Sequence, residues 1–204
     1  KMKNFLITPF LFKNKYKKIV LGLNHEWYEF AKKNKINLII VNNKKELDKI
    51  FKIKIHGLIL SGGNDLTNIK KNTINSLREK NEVEIIKYII KKKLPIIGIC
   101  KGFQLFSKIC GSSIVKINNH QNKNHNVIMR NNRLLNRKSI NTNSFHKYGV
   151  KNLPKAFEIV GTTKDNNIEI AINKKKKFLG LMFHPERKNK DQLQINTLIT
   201  KFIK

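Results

Sequence analysis

At 204 residues, 40% of them hydrophobic and 27% charged, the chain can bury a full core and reads as one domain over residues 1–204. No apolar run approaches the roughly 20 residues that a bilayer-spanning helix needs, so no membrane association is expected. The formal charge of +30 raises nucleic acid as a partner, but only five of the 43 basic residues are Arg. The lysines are scattered among Asn and Ile, as in an AT-rich genome, whereas phosphate-reading surfaces lean on Arg. No specific nucleic-acid role is expected, and the charge suits steering of a small anionic substrate equally well.

In chain order, the N-terminal residues are too short and too soon interrupted for a signal peptide, and Phe5–Thr8 reads as a first strand. Asn24–Lys35 predicts a helix, with Trp27, Phe30 and Ala31 at helical spacing. Asn37–Val41 reads as a strand, Lys44–Phe51 as a short helix, and His56–Leu60 as a buried strand running into Ser61-Gly62-Gly63-Asn64-Asp65. Asn72–Lys92 predicts a long helix facing inward through Ile74, Leu77, Ile85, Ile86, Ile89 and Ile90. Leu94–Ile99 is a strand and Phe103–Cys110 a helix. Shorter strands follow at Ser113–Ile117, Asn126–Met129, Ala156–Thr162, Ile168–Ile172 and Phe178–Phe183, with a turn at Lys174–Lys177 and a closing helix over Gln192–Ile203. Strand–helix alternation in the first half implies a mostly parallel sheet covered by helices, and the second half adds antiparallel hairpins.

Chemistry concentrates at Gly98-Ile99-Cys100-Lys101-Gly102. An apolar strand, a glycine-framed turn and a helix make a nucleophile elbow with cysteine as the nucleophile, and the helix N-terminus favours a thiolate there. A cysteine nucleophile needs a base, a group that orients the base, and an oxyanion hole. Phe183-His184-Pro185-Glu186 follows an apolar strand and offers His184 as base with Glu186 to hold it. The backbone N–H groups of Lys101 and of Gly62 and Gly63 are candidate oxyanion donors. Cys110 reads as core. A Cys100–Cys110 disulfide is not expected, which implies a reducing, cytoplasmic setting. His25, His56, His120 and His125 show no metal-ligand spacing, and no glycine-rich phosphate loop is present, so no metal, ATP or other cofactor is expected.

The chain resembles the class I glutamine amidotransferase-like superfamily, and within it the γ-glutamyl hydrolase type. The matching segments are Leu58–Asp65, Pro95–Gln104, Asn143-Ser144-Phe145-His146 and Gly180–Glu186, in the family's order. The resemblance implies a three-layer α/β sandwich with a flavodoxin-like core. It also implies a Cys100–His184–Glu186 triad and hydrolysis of a γ-glutamyl amide or phosphoramide through a thioester. It places Gln104 and the segment Asn143, Ser144, Phe145 and His146 at the glutamyl substrate. Gly62-Gly63-Asn64-Asp65-Leu66, Asn24-His25-Glu26-Trp27 and the Lys after the nucleophile are similar to small bacterial enzymes of surface-polysaccharide modification. Some of those release glutamate from γ-glutamyl-CDP-amidate, and for a nucleotide substrate Lys101, Lys147 and Arg187 are candidates for a cationic rim. Arg78-Glu79 departs from the Arg-Asp of many relatives. The alternative is a glutaminase subunit that passes ammonia to a partner synthetase; a homodimer is the other association to consider.

Overall fold

The computed structural model describes residues 2–130 and 134–203. The first half comprises β1 (Lys3–Thr8), β2 (Phe10–Lys13), β3 (Ile19–Gly22), α1 (Glu26–Lys33), β4 (Ile36–Ile40), α2 (Leu47–Ile50), β5 (Gly57–Leu60), α3 (Thr73–Lys91), β6 (Ile96–Ile99) and α4 (Lys101–Ile109). The second half comprises β7 (Ser113–Lys116), β8 (Gln121–Met129), β9 (Ser139–Phe145), β10 (Tyr148–Lys151), β11 (Glu158–Thr162), β12 (Ile168–Asn173), β13 (Phe178–Leu181) and α5 (Gln192–Phe202).

Nine strands form one sheet in the order β4-β1-β5-β6-β13-β12-β11-β8-β9. The five from β4 to β13 run parallel, and the remaining four continue the same sheet antiparallel. The period-two alternation of the central strands divides the core. Phe5 and Ile7 of β1, Ile59 of β5, and Ile97 and Ile99 of β6 face one way, against Trp27 and Phe30 of α1 and Ile195, Leu198 and Ile199 of α5. Leu6, Leu58, Leu60 and Ile96 face the other way, against Ile85, Ile86 and Ile89 of α3 and Phe103 and Phe106 of α4. Helices on both faces of a mixed sheet give the three-layer α/β fold that the strand–helix alternation implies.

The expected elements of the first half are present with ends shifted by a few residues. Additional strands are the β2–β3 hairpin, β9 and β10, and β8 begins five residues earlier than its apolar stretch. The inward face of α3 also differs from the apolar reading. Ile85, Ile86 and Ile89 are buried, but towards its N-terminal end the buried positions are Asn75, Arg78 and Glu82, while Ile74, Leu77 and Ile90 are only half-buried.

β5, β6 and β13 are neighbours, with Leu60 beside Gly98, Gly98 beside Gly180 and Ile99 beside Leu181. Their carboxyl ends therefore deliver Ser61-Gly62-Gly63, Cys100 and His184 to one edge of the sheet, the position where open α/β sheets form sites.

Candidate active site

Cys100 ends β6 and caps α4 with φ 49° and ψ −105°. A non-glycine residue at positive φ is strained by about 1–3 kcal/mol and persists only when its surroundings hold it. Here the Cys100 N–H donates to the Leu181 carbonyl at 2.7 Å, and its own carbonyl accepts from the Gln104 N–H at 3.0 Å. Gly102 is required by close approach, since a Cβ there would sit 2.2 Å from the Leu60 carbonyl oxygen. The elbow thus depends on α4 lying directly against β5.

The Ser61–Asn64 loop is held from beneath by Arg78, which is 2% exposed. Its guanidinium donates to the carbonyls of Ser61 at 2.9 Å, Gly62 at 3.0 Å and Gly63 at 2.6 Å. It also reaches Asn64 Oδ1 at 3.0 Å. Because a trans peptide sets its N–H opposite its C=O, fixing these carbonyls on the Arg78 side turns the next N–H groups, those of Gly62, Gly63 and Asn64, the other way. Asn64 also exchanges two hydrogen bonds with the backbone of Leu11, docking the β2–β3 hairpin on the loop. A Cβ on Gly62 would meet the His184 ring at 2.6 Å, so glycine is what lets this loop reach the imidazole.

Behind the loop lies a buried charge cluster. Glu82 Oε1 accepts from Arg78 Nε at 3.0 Å and from Thr8 Oγ1 at 2.9 Å, and its Oε2 pairs with the Lys101 ammonium. Burial works to raise the Glu82 pKa, but the two cations hold it below the ordinary carboxylate range. Burial lowers Lys101 to about 8, against the opposing pull of Glu82.

His184 follows β13. Its Nδ1 lies 2.6 Å from Glu186 Oε1, and both residues are more than nine-tenths buried. Burial works to lower the His184 pKa, yet the Glu186 carboxylate and then the adjacent Cys100 sulfur raise it to about 10. This folded value exceeds the ordinary 6.5. The pair's contribution to stability is therefore full below about pH 6.5 and is lost as pH rises through about 10. Glu186→Gln removes the charge. Thermal melts from about pH 6 to about pH 10 are expected to show wild type more stable than the variant at the acid end, with the margin closing as pH rises.

Cys100, Gln104, Phe145, His146, Lys147, His184 and Arg187 line one cavity of about 630 Å³. Gln104 donates to the Tyr148 carbonyl at 2.9 Å and so ties α4 to the cavity wall. Phe145 is exposed at the mouth, with its ring edge-on to His184 and the Arg187 guanidinium 4.5 Å above it. His146 lies within the wall, its Nδ1 donating to the Tyr148 carbonyl at 3.2 Å.

Three expectations are corrected. Asn143, expected at the substrate, is buried and instead brackets the His184 backbone. Its Nδ2 donates to the His184 carbonyl at 2.8 Å, and its Oδ1 accepts from the His184 N–H at 2.9 Å. Ser144, also expected at the substrate, is fully buried with its hydroxyl on the His120 carbonyl. The Lys101 ammonium is not on a cationic rim, because it turns inward to Glu82; Lys147 and Arg187 do line the mouth.

Sequence reasoning gave no site role to Arg78, Glu82, Asn64 or Asn189. Asn189 Nδ2 adds a second bond to the His184 carbonyl at 3.1 Å. The available signal was the polar step Asn75–Arg78–Glu82 at helical spacing, pointing where α3 should be apolar.

The class-I glutamine amidotransferase profile matches residues 16–202. The chain belongs to this family. Among its relatives, the γ-glutamyl-CDP-amidate hydrolase of Campylobacter jejuni is 32% identical over 139 residues, covering 68% of this chain and 66% of that protein. The glutamine-hydrolysing GMP synthase subunit of Methanocaldococcus jannaschii is 31% identical over 151 residues, covering 72% and 73%. Other matched GMP synthases are covered over less than a third of their length. A GMP synthase subunit homologue from Thermoplasma acidophilum superposes with a TM-score of 0.72 at 18% identity, covering all of this chain and 93% of the other, a likeness of fold. The chain thus carries a class-I glutamine amidotransferase domain, and no helix among the described residues is long and apolar enough to cross a membrane.

Proposed function

We propose that this chain is one catalytic domain acting as a stand-alone γ-glutamyl hydrolase, with Cys100 as nucleophile, His184 as acid and base, and Glu186 as its partner. The Cys100 thiolate attacks the γ-carbonyl carbon. Negative charge moves to the carbonyl oxygen, which the N–H groups of Gly62, Gly63 and Lys101 receive; each such donor is worth about 3 kcal/mol of barrier. The intermediate collapses to a γ-glutamyl thioester as the bond to the leaving nitrogen breaks and His184 protonates that nitrogen. His184 then takes a proton from water. The hydroxyl adds to the thioester and L-glutamate leaves as the thiolate returns. Glu186 holds the imidazole through Nδ1 and stabilises its cation throughout.

We infer γ-glutamyl-CDP-amidate as the substrate, which would place the enzyme in surface-polysaccharide phosphoramidate synthesis. The observation that carries this reading is the cavity itself. At about 630 Å³ it is of the size that takes a drug-sized ligand, and Lys70, Lys147 and Arg187 line it beside the nucleophile. Those cations suit the diphosphate of a nucleotide leaving group. The 32% identity to the Campylobacter hydrolase supports the same reading. Both cysteines are unpaired, which supports a reducing compartment such as the cytoplasm.

The competing reading is a glutaminase subunit serving a partner synthetase, favoured by the likeness to the Methanocaldococcus GMP synthase subunit. A panel of glutamine, γ-glutamyl amines, γ-glutamyl peptides and γ-glutamyl-CDP-amidate separates the two. Glutamate release is expected to be fastest from the CDP-amidate with no partner present. Turnover of glutamine alone, rising only when a synthetase is added, would decide for the subunit.

A further inference from the structure

At the cavity wall that His146 lines, three histidines converge on a carboxylate that the proposed chemistry does not use. Glu169 of β12 is fully buried, and His120 and His146 are each 4% exposed. His146 Nε2 lies 3.4 Å and His120 Nδ1 lies 3.6 Å from Glu169 Oε1, and His125 Nε2 lies 3.4 Å from Oε2. Among the described residues, none of these five atoms has a partner at full hydrogen-bonding geometry. The ligand atoms of His120, His146 and Glu169 all lie within 4.8 Å of one another.

These separations are long for a hydrogen bond. They match the edge of a tetrahedral zinc shell, in which ligands about 2.1 Å from the ion stand about 3.4 Å apart. The outer nitrogens are also engaged as metal-ligating histidines require. His146 Nδ1 donates to the Tyr148 carbonyl, and its Nε2 faces Glu169 Oε1, an arrangement satisfied either by a proton on Nε2 or by a metal ion between the two atoms. His120 Nε2 faces the Asp165 carboxylate at 3.2 Å and the Asn167 amide at 3.1 Å. A carboxylate behind a ligating histidine fixes its orientation and strengthens it as a donor. His120, His125 and Asp165 also line a cleft of about 700 Å³ that opens to solvent, which provides an entry path.

We propose that His120, His146 and Glu169, with His125 or a water as the fourth ligand, bind a divalent transition metal of the zinc class. The site is structural. It joins the start of β8, the turn after β9 and strand β12, and through the shared Tyr148 carbonyl it braces the wall that Gln104 also holds. Glu169 sits one ladder step from the strand leading to His184, its carbonyl accepting from the Met182 N–H at 2.9 Å. No ligand spacing in the sequence announces the cluster, because its members lie on three separate segments.

Cobalt titration tests this. Tag-free Cys100→Ala protein is used, so that the thiol and His184 cannot capture the ion, and it is stripped with a chelator. One Co2+ per chain is expected, with the visible bands of a tetrahedral nitrogen and oxygen site, no thiolate charge transfer, and displacement by Zn2+. In His120→Ala and Glu169→Gln the affinity should fall by at least about 10-fold and 100-fold respectively. Should those variants fail to fold, imidazole 15N NMR of the Cys100→Ala protein reads the same site, with Zn2+ expected to shift His120 Nδ1 and His146 Nε2. No uptake of Co2+ would mean that the cluster holds only protons and would overturn the proposal. So would uptake unchanged in both folded variants, or shifts confined to other histidines.

Discussion

Cys100→Ala is expected to lower glutamate release by roughly 10⁴-fold or more while leaving the thermal midpoint little changed. The activity loss follows from the proposed mechanism, in which the Cys100 sulfur forms the acyl bond. The stability result follows from the elbow, because alanine at φ 49° inherits the strain and the backbone bonds that hold the residue, its N–H to Leu181 and the Gln104 N–H to its carbonyl, do not involve the thiol. Circular dichroism and a stopped glutamate assay on the same sample check both parts. Activity within about tenfold of wild type would remove Cys100 from the mechanism. A large stability loss would recast it as a packing residue.

Glu82→Gln is expected to cost about 3–5 kcal/mol of stability, because it leaves two buried cations without their carboxylate. Lys101 and Arg78 are each 2% exposed, and neither side chain can turn to solvent without opening the contact between α3, α4 and β5. The deficit should shrink as pH is raised from about 7 to about 10. Lys101 is already lowered to about 8 by burial in the wild type, falls further without Glu82, and needs no partner once neutral. The double variant Glu82→Gln with Lys101→Met should recover part of the loss at neutral pH, since it removes the stranded ammonium. Urea midpoints of the three proteins measure this. A Glu82→Gln cost below about 1 kcal/mol, or one that grows with pH, would contradict the account.

What could be read from the sequence and what could not divide along physical lines. The central strands were legible because each is a short apolar run between turn residues. The elbow was legible because glycines frame Cys100, and contact with Leu60 explains the second of them. His184 and Glu186 were legible as a pair because they stand two residues apart after an apolar strand, and the structure sets His184 Nδ1 2.6 Å from Glu186 Oε1. The first half of β8, Gln121–His125, was not, because it is polar and largely exposed, so it carries no alternation. Arg78 was not, because a charged residue on a long helix ordinarily reads as solvent-facing, and only tertiary contact shows that its partners are backbone carbonyls. Asn143 and Ser144 were found as a motif but assigned the wrong partner. The sequence marks them as unusual without showing that their hydrogen bonds run to His184 and His120. The histidine cluster was invisible for the same reason, since Glu169 lies on a strand whose every side chain is buried.

The measurement that tests the central claim most directly is rapid-quench peptide mass spectrometry of the wild-type enzyme turning over γ-glutamyl-CDP-amidate. The account predicts a transient γ-glutamyl adduct on the peptide carrying Cys100, formed at least as fast as glutamate appears and absent from the Cys100→Ala protein. Steady glutamate release with no adduct on Cys100, or with the adduct on another residue, would contradict it.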